Sequence, residues 1–163
     1  MRAEPISTPR LTLEPLAVEH AAEMAETLGD PALHAFTGGS PATAEALRDR
    51  YARLVAGPPS DRDEAWLNWV IRLDESNALV GYVQATVTPA QTEVAWVVGT
   101  PWQGRGIATE AARALVEWLR ERGASAIVAM IHLDHAASSA VARRIGLVPT
   151  AQRVEGEVVW RSP

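Results

Sequence analysis

The sequence contains no cysteine and no lysine. Without cysteine there is no disulfide, no thiol nucleophile, no thiolate-ligated metal and no covalent thiol intermediate. Without lysine there is neither the phosphate-binding residue of a P-loop NTPase nor the amine of a Schiff-base enzyme. Every basic side chain is arginine, and the net charge is -5. An acidic chain lacks the basic face that broad nucleic-acid binding requires. It suits a cationic substrate drawn to an acidic cleft, or simply a well-solvated surface. No apolar run approaches the ~20 residues of a membrane span. The start, Met1-Arg2-Ala3-Glu4-Pro5, has neither the apolar core nor the small-residue cleavage site of a secretory leader. The expected location is therefore cytoplasmic, with no membrane, nucleic-acid or metal partner.

What is present reads as one compact domain over residues 1–163, with an ordinary hydrophobic fraction of 47%. Arg10 to Pro15 alternates and predicts a first strand. From Ala17 to Leu28 the apolar spacing is helical, and Gly29-Asp30-Pro31 ends it. Ser40-Pro41 suits the N-cap and first position of a second helix, which runs to about Val55. Three alternating segments follow, Trp66 to Leu73, Leu79 to Val87 and Glu93 to Val98, joined by turns short enough for antiparallel hairpins. A helix after Gly106 carries Ile107, Ala111, Ala114, Leu115, Trp118 and Leu119 on one stripe, and Gly123 stops it. Ala126 to Ile131 is a continuously apolar strand, the kind buried on both faces. A fourth helix over Ala136 to Ile145 and two strands, Leu147 to Thr150 and Val154 to Trp160, complete the order β-α-α-β-β-β-α-β-α-β-β. This is α+β: a mixed, mostly antiparallel central sheet flanked by helices, with one parallel unit around the third helix.

The turn between Val98 and the third helix holds Gln103-Gly104-Arg105-Gly106-Ile107-Ala108. Two glycines near a turn are common for backbone reasons alone. Here they stand between a strand and a helix N-terminus, where free amides and the helix dipole favour an anion. A dinucleotide turn would need glycine or alanine where Thr109 stands, and would open a βαβαβ array rather than follow three antiparallel strands.

Gln103-x-x-Gly106-x-Ala108 resembles the (Arg/Gln)-x-x-Gly-x-(Gly/Ala) signature of the GNAT superfamily of acyl-CoA-dependent N-acyltransferases. The run from Trp102 is most similar to the branch of ribosomal-protein-alanine N-acetyltransferases. Thr8-Pro9-Arg10-Leu11-Thr12-Leu13 and the element order extend the likeness over nearly the whole chain. The resemblance implies the acyl-CoA N-acyltransferase fold and acetyl-CoA as co-substrate, with no metal. It implies that the amides of Gln103, Gly104, Arg105, Gly106, Ile107 and Ala108 hold the coenzyme's pyrophosphate. The strand at Trp96, Val97 and Val98 would splay from its parallel neighbour and pair with the pantetheine arm, an N–H near Val97 or Val98 facing the thioester oxygen. A second segment, His132-Leu133-Asp134-His135-Ala136-Ala137-Ser138-Ser139, resembles the family's Asn-x-x-Ser element. Ser138 matches the serine that contacts coenzyme A near its sulfur. His135 replaces the usual Asn, and imidazole does not reproduce the amide's paired groups.

Such a reaction is direct attack of an amine on the thioester, so a base or a water relay must take the ammonium proton. Glu93 is the first candidate base, sharing a sheet face with Ala95 and Val97; the other reading is a solvated glutamate at a strand start. Glu110 is second, though a carboxylate early in a helix also simply favours the dipole. Asp134 would cap the fourth helix, and His132 is a weaker candidate. The resemblance implies a tyrosine acid in or near the helix of the second segment; the chain's tyrosines, Tyr51 and Tyr82, lie outside it, so Ser138 or water is expected instead. Trp66, Trp69, Tyr82 and Gln84 would either wall the acceptor cleft or fill the core. Arg143 and Arg144 would reach the coenzyme's 3′-phosphate or form a solvated helix face. The expected partner is an amine, as a protein N-terminus or a small molecule, with a homodimer left open. The alternative function is a non-catalytic acyl-CoA-binding sensor that keeps the cradle and lacks turnover.

Overall fold

A computed structural model describes all residues, 1–163. Its strands are β1 (Ile6–Ser7), β2 (Leu11–Pro15), β3 (Ala65–Leu73), β4 (Ala78–Val87), β5 (Thr92–Val98), β6 (Ile127–His132), β7 (Val148–Val154) and β8 (Glu157–Arg161). Its α-helices are α1 (Ala21–Thr27), α2 (Ala44–Ala56), α3 (Ile107–Glu121) and α4 (Ala136–Arg144). The strands form one sheet in the order β1-β2-β3-β4-β5-β6-β8-β7. All neighbours are antiparallel except β5 and β6, the parallel unit that the crossover through α3 requires.

Alternation along the strands divides the side chains between two layers. On one face α3 and α4 cover a large core in which Leu11, Leu13, Leu115 and Leu119 are fully buried. There Trp69 meets Trp118 edge-on at 5.3 Å, a preferred aromatic geometry, and its indole N–H bonds to the Glu4 carbonyl. On the other face α1 and α2 cover a smaller cluster of Met24, Leu47, Tyr51, Val70 and Leu79. A register shift in the β3/β4 pair turns Leu79 to that side, and Glu23 and Thr27 of α1 bond to its backbone.

Three boundaries differ from expectation. The second helix begins at Ala44, not at Pro41, because the Thr43 hydroxyl accepts the Ala46 N–H and caps it. A two-residue strand, β1, pairs with β2 ahead of the expected first strand. The last hairpin turns at Glu155-Gly156, both with positive φ, so β7 runs on to Val154 through mostly exposed residues that carry no alternating signal.

The feature that shapes the site is the parting of β5 from β6. They pair only at Thr92–Ile127 and Glu93–Val128. Beyond that point β5 stays with β4 as far as Val98, while β6 pairs with β8 out to His132. A wedge opens between the two parallel strands. The approach of β4 to the wedge-side strand depends on Gly81, where a Cβ would lie 2.1 Å from the Val97 carbonyl oxygen.

Candidate active site

One wall of the wedge is the end of β5. Alternation buries the side chains of Val94, Trp96 and Val98 against α3 and turns Glu93, Ala95 and Val97 to the opposite face. The backbone alternates too. Gly99 N–H donates to Val80 O across the β4/β5 pair, so the antiparallel ladder aims the Val97 N–H at Tyr82. The N–H groups of Trp96 and Val98 therefore point into the wedge. Of the two donors expected near Val97 or Val98, Val98 is the one with the right direction. Trp96 offers only its backbone there, since its ring is buried.

At the wide end of the wedge stands the glycine turn. Gly104 (φ 78°) and Gly106 (φ 77°) both adopt the left-handed conformation that glycine tolerates best, and Gly106 is the N-cap of α3. The N–H groups of Gly104, Arg105, Gly106, Ile107, Ala108 and Thr109 donate to no acceptor of the chain. Gln103 differs. Its N–H donates to Thr100 O, and its side-chain amide donates to Val98 O at 3.0 Å. It fastens the turn to β5, and the run of free donors begins one residue later than expected and extends to Thr109. Ile107, buried in the core, anchors the far side. A row of unpaired amides at a helix N-terminus fits a pyrophosphate.

Glu110, the second candidate base, has another task. Its carboxylate accepts from Thr8 Oγ1 (2.6 Å), from Arg10 N–H (3.1 Å) and from Arg10 Nε (2.8 Å). Burial by itself raises its pKa, but these bonds overcome that and hold it below the usual carboxylate range. Arg10 then donates from Nη1 to the Arg105 carbonyl at 2.9 Å. That carbonyl belongs to the Arg105–Gly106 peptide, so fixing it outward turns the Gly106 N–H inward to the cradle. The Thr8-Pro9-Arg10 segment thus sets the cradle's shape from 100 residues away in sequence. Glu110→Gln is expected to raise the KM for acetyl-CoA about three- to tenfold with kcat little changed, as a loosened charge-assisted bond would. Steady-state kinetics at varied acetyl-CoA separates the two constants. Because folding depresses the Glu110 pKa, the clamp stabilises the fold above the unfolded value near 4.5 and is lost as pH falls through the folded value.

The other wall carries the second segment. His135, not Asp134, is the N-cap of α4: its Nδ1 accepts the Ser138 N–H at 3.3 Å. Asp134 instead donates its own N–H to His132 Nδ1. An accepting Nδ1 assigns the proton to Nε2, which lies 3.1 Å from Ser138 Oγ. Burial, then the neighbouring His132, lowers the His135 pKa and keeps the ring neutral. The imidazole thus supplies both an acceptor and a donor, the pair of groups expected to be missing when His replaces Asn. With its oxygen accepting from His135, Ser138 keeps its own O–H proton free. Phe36, the only phenylalanine of the chain, stacks on His135 at 4.4 Å and approaches His132 at 5.2 Å. It brings the α1–α2 connection over the wedge. Nothing in the local sequence around Phe36 marks this role.

Glu93 sits where β5 and β6 are still paired, at the narrow end of the wedge. Its side chain reaches solvent, yet packing around the carboxylate, and then the like charge of Glu157, raise its pKa. Glu157 pairs with His132 across β6/β8 and so lies on the same sheet face as Glu93. Sequence reasoning missed it, because only the crossover brings β8 beside β6.

On that face, between the sheet and the α1–α2 layer, lies a mostly apolar cleft of about 160 Å³. Tyr82, Gln84, Asn68 and Val97 form its floor, with Leu28 and Leu54 among its upper walls. Tyr82 and Gln84 are thus cleft residues. Trp69 belongs chiefly to the core, and Trp66 lies outside the cleft with its indole N–H on Glu64. Burial raises both phenols, Tyr51 to about 12. The cleft is not acidic, since none of its lining residues is Asp or Glu. Arg143 lies over the Trp160 ring at 5.1 Å. Arg144, by contrast, borders a second groove with Gly106, Arg10 and Arg113.

The acetyltransferase (GNAT) domain family matches residues 10–148. No curated protein matches the chain by sequence. Among solved structures, an acetyltransferase from Agrobacterium tumefaciens str. C58 is similar, with 26% identity and a TM-score of 0.77 over 98% of this chain and 94% of that one. RimL, a ribosomal α-N-protein acetyltransferase solved in complex with coenzyme A, superimposes with a TM-score of 0.79 at 18% identity over 97% of each chain. A GNAT-family acetyltransferase from Bacillus anthracis gives 0.77 at 18% identity, covering 97% of this chain and 96% of that one. With the parted parallel strands, the free amides of the glycine turn and the family match over most of its length, the chain belongs to the GNAT acetyltransferase family.

Proposed function

We propose that this enzyme transfers an acetyl group from acetyl-CoA directly to a primary amine, with Glu93 as general base and Ser138 as the donor at the leaving sulfur. The carrying observation is the wedge between β5 and β6 opening onto six consecutive residues, Gly104 to Thr109, whose amides are unpaired. Acetyl-CoA, when bound, supplies the activated thioester. Gly104 to Thr109 would hold its pyrophosphate, and Arg144 with Arg113 provides positive charge beside that cradle for the 3′-phosphate. Trp96 and Val98 present N–H groups to the pantetheine arm, and Val98 is the nearer to the turn. A donor preorganised on a thioester oxygen is worth roughly 3 kcal/mol of barrier.

Glu93 takes the ammonium proton through water, since it stands four residues along β5 from Val97, and its raised pKa makes it a better acceptor than an ordinary glutamate. His135 holds Ser138 by its oxygen and leaves the hydroxyl proton to donate to sulfur. The likeness to RimL supports a protein N-terminus as one acceptor class, and the cleft supports a small amine as another. The test pairs a melting series with acetyl-CoA, coenzyme A, NADH and ATP with release of free thiol across an amine panel. Selective stabilisation by the coenzyme A compounds, about 2.7 kcal/mol at a hundred times Kd, and amine-dependent thiol release are expected. Stabilisation without release for any amine would favour the non-catalytic sensor.

A further inference from the structure

The cleft that opens on Val97 has an uneven charge pattern. Its lining is largely aliphatic and includes no carboxylate, but it does include the guanidinium-bearing Arg50 of α2. Arg50 joins none of the ion pairs of the chain. Its helical neighbours three and four positions away are Leu47, Ala46, Arg53 and Leu54, none of which can neutralise it. Arg50 is exposed at the rim of the cleft, whose lining it shares with Tyr51 and Tyr82. Tyr82 is the register partner of Val97. Glu93 lies on the same face as Val97 and four residues before it, roughly 13 Å along the strand, and the charge of Glu157, further along the same face, acts on it.

The acceptor surface thus runs from the Glu93 carboxylate at one end, through an apolar middle, to an unpaired cation at the other. A polycationic amine finds no counter-charge in the cleft and meets Arg50. A purely apolar amine leaves Arg50 without a partner. We infer that the acceptor is a zwitterionic amine: an amino group delivered toward Glu93, an apolar body of modest size in the cleft, and a carboxylate on Arg50. This rests on the acetyl-transfer reading above and names its substrate class. An apolar cavity of ~150 Å³ admits a group about the size of benzene, so the body is a short chain or ring that holds the amino group and the carboxylate apart, as in 6-aminohexanoate. Arg50 is then a specificity residue, one that a sequence reading would assign to a solvated helix face.

The experiment compares phenylalanine, leucine and 6-aminohexanoate with their carboxamides, with spermidine, with tobramycin and with a short peptide bearing a free N-terminus. Thiol release is measured for the wild type and for Arg50→Gln, a substitution at an exposed helix position. 6-Aminohexanoate is expected to exceed its carboxamide about tenfold or more in kcat/KM, as a charge-assisted contact implies. In Arg50→Gln that preference should disappear, through KM, while the rate with carboxamides is unchanged. A melting series with the N-acetylated acids and N-acetylated carboxamides, with coenzyme A present and without, needs no turnover. Stabilisation by the acids alone, lost in Arg50→Gln, supports the same conclusion. Preference for spermidine, tobramycin or the peptide overturns the inference while leaving acetyl transfer intact, as does an acid preference that survives Arg50→Gln. Absence of thiol release with every amine, together with no melting response to acetyl-CoA, overturns the acetyl-transfer reading instead, and the acid melting series then decides Arg50 separately.

Discussion

Gly106→Glu abolishes acetyl-CoA binding and leaves the fold in place. The position is the N-cap of α3 with φ at 77°, a conformation that costs a non-glycine residue about 1–2 kcal/mol. The added side chain enters a space bounded by Arg10, whose nearest nitrogen lies 3.5 Å from a Cβ at this position. That is ordinary contact, so the backbone strain is the main folding cost and the domain survives it. Binding suffers far more. A carboxylate on the row of free amides takes the place of an incoming pyrophosphate and repels it, undoing the attraction of the helix N-terminus. In a melting series, the ~2.7 kcal/mol of stabilisation expected at a hundred times Kd should vanish, with the far-ultraviolet circular dichroism unchanged. Gly106→Ala separates the two effects, since it carries the strain without the charge. It should melt lower than the wild type and still respond to acetyl-CoA. An undiminished response in Gly106→Glu would mean that the amides of the turn do not hold the coenzyme.

The glycine turn was readable because local chemistry writes it. Backbone conformation demands glycine at Gly104 and Gly106, and a helix must begin somewhere with its amides unpaired. The crossover between β5 and β6 was readable too, because a buried parallel strand such as Ile127–His132 announces itself as an unbroken apolar run. Boundaries failed where a side chain competed with a rule. Thr43 outbids Ser40-Pro41 as the start of α2 by supplying a hydroxyl to the Ala46 N–H. β7 escaped notice at its far end because an edge strand with both faces near solvent has no reason to alternate.

The site was less legible, for a different reason. Its decisive contacts are long-range. Glu110 reads as a helix-start carboxylate until Thr8 and Arg10 close on it from the other end of the chain. Glu157 joins the sheet face of Glu93 only because β8 inserts between β6 and β7. Phe36 meets His135 from the α1–α2 connection, whose turn-rich sequence does nothing to mark the contact. The substitution of His for Asn at position 135 seemed a loss on hydrogen-bond inventory. The fold restores the balance by presenting both ring nitrogens to one residue, Ser138. Residue type was informative about the cofactor and nearly silent about who faces whom across the wedge.

That silence makes Glu93 the sharpest test of mechanism. As the general base it acts in its ionised form, so kcat should rise with pH through the Glu93 pKa, which burial and the charge of Glu157 place above the ordinary 4.5. Glu93→Gln is expected to lower kcat by about 10²- to 10⁴-fold and to erase the acidic limb of the pH–rate profile. Glu157→Gln should retain most activity but move that limb to lower pH, because it removes the like charge and leaves the burial. The two variants therefore distinguish a base from a bystander by the direction of a shift rather than by loss alone. Stability gives an independent sign. A carboxyl whose pKa is raised on folding binds its proton more tightly in the native state, so its contribution to stability is full at low pH and declines as pH rises through the folded value. At neutral pH the ionised Glu93 consequently burdens the fold, and Glu93→Gln should melt higher than the wild type while turning over far more slowly. A variant that is slower but equally stable, with the wild-type acidic limb intact, would remove Glu93 from the proton transfer and leave a water relay to another group. A gain in stability coupled to a loss in rate would mean that the narrow end of the wedge keeps a strained carboxylate for the sake of its basicity.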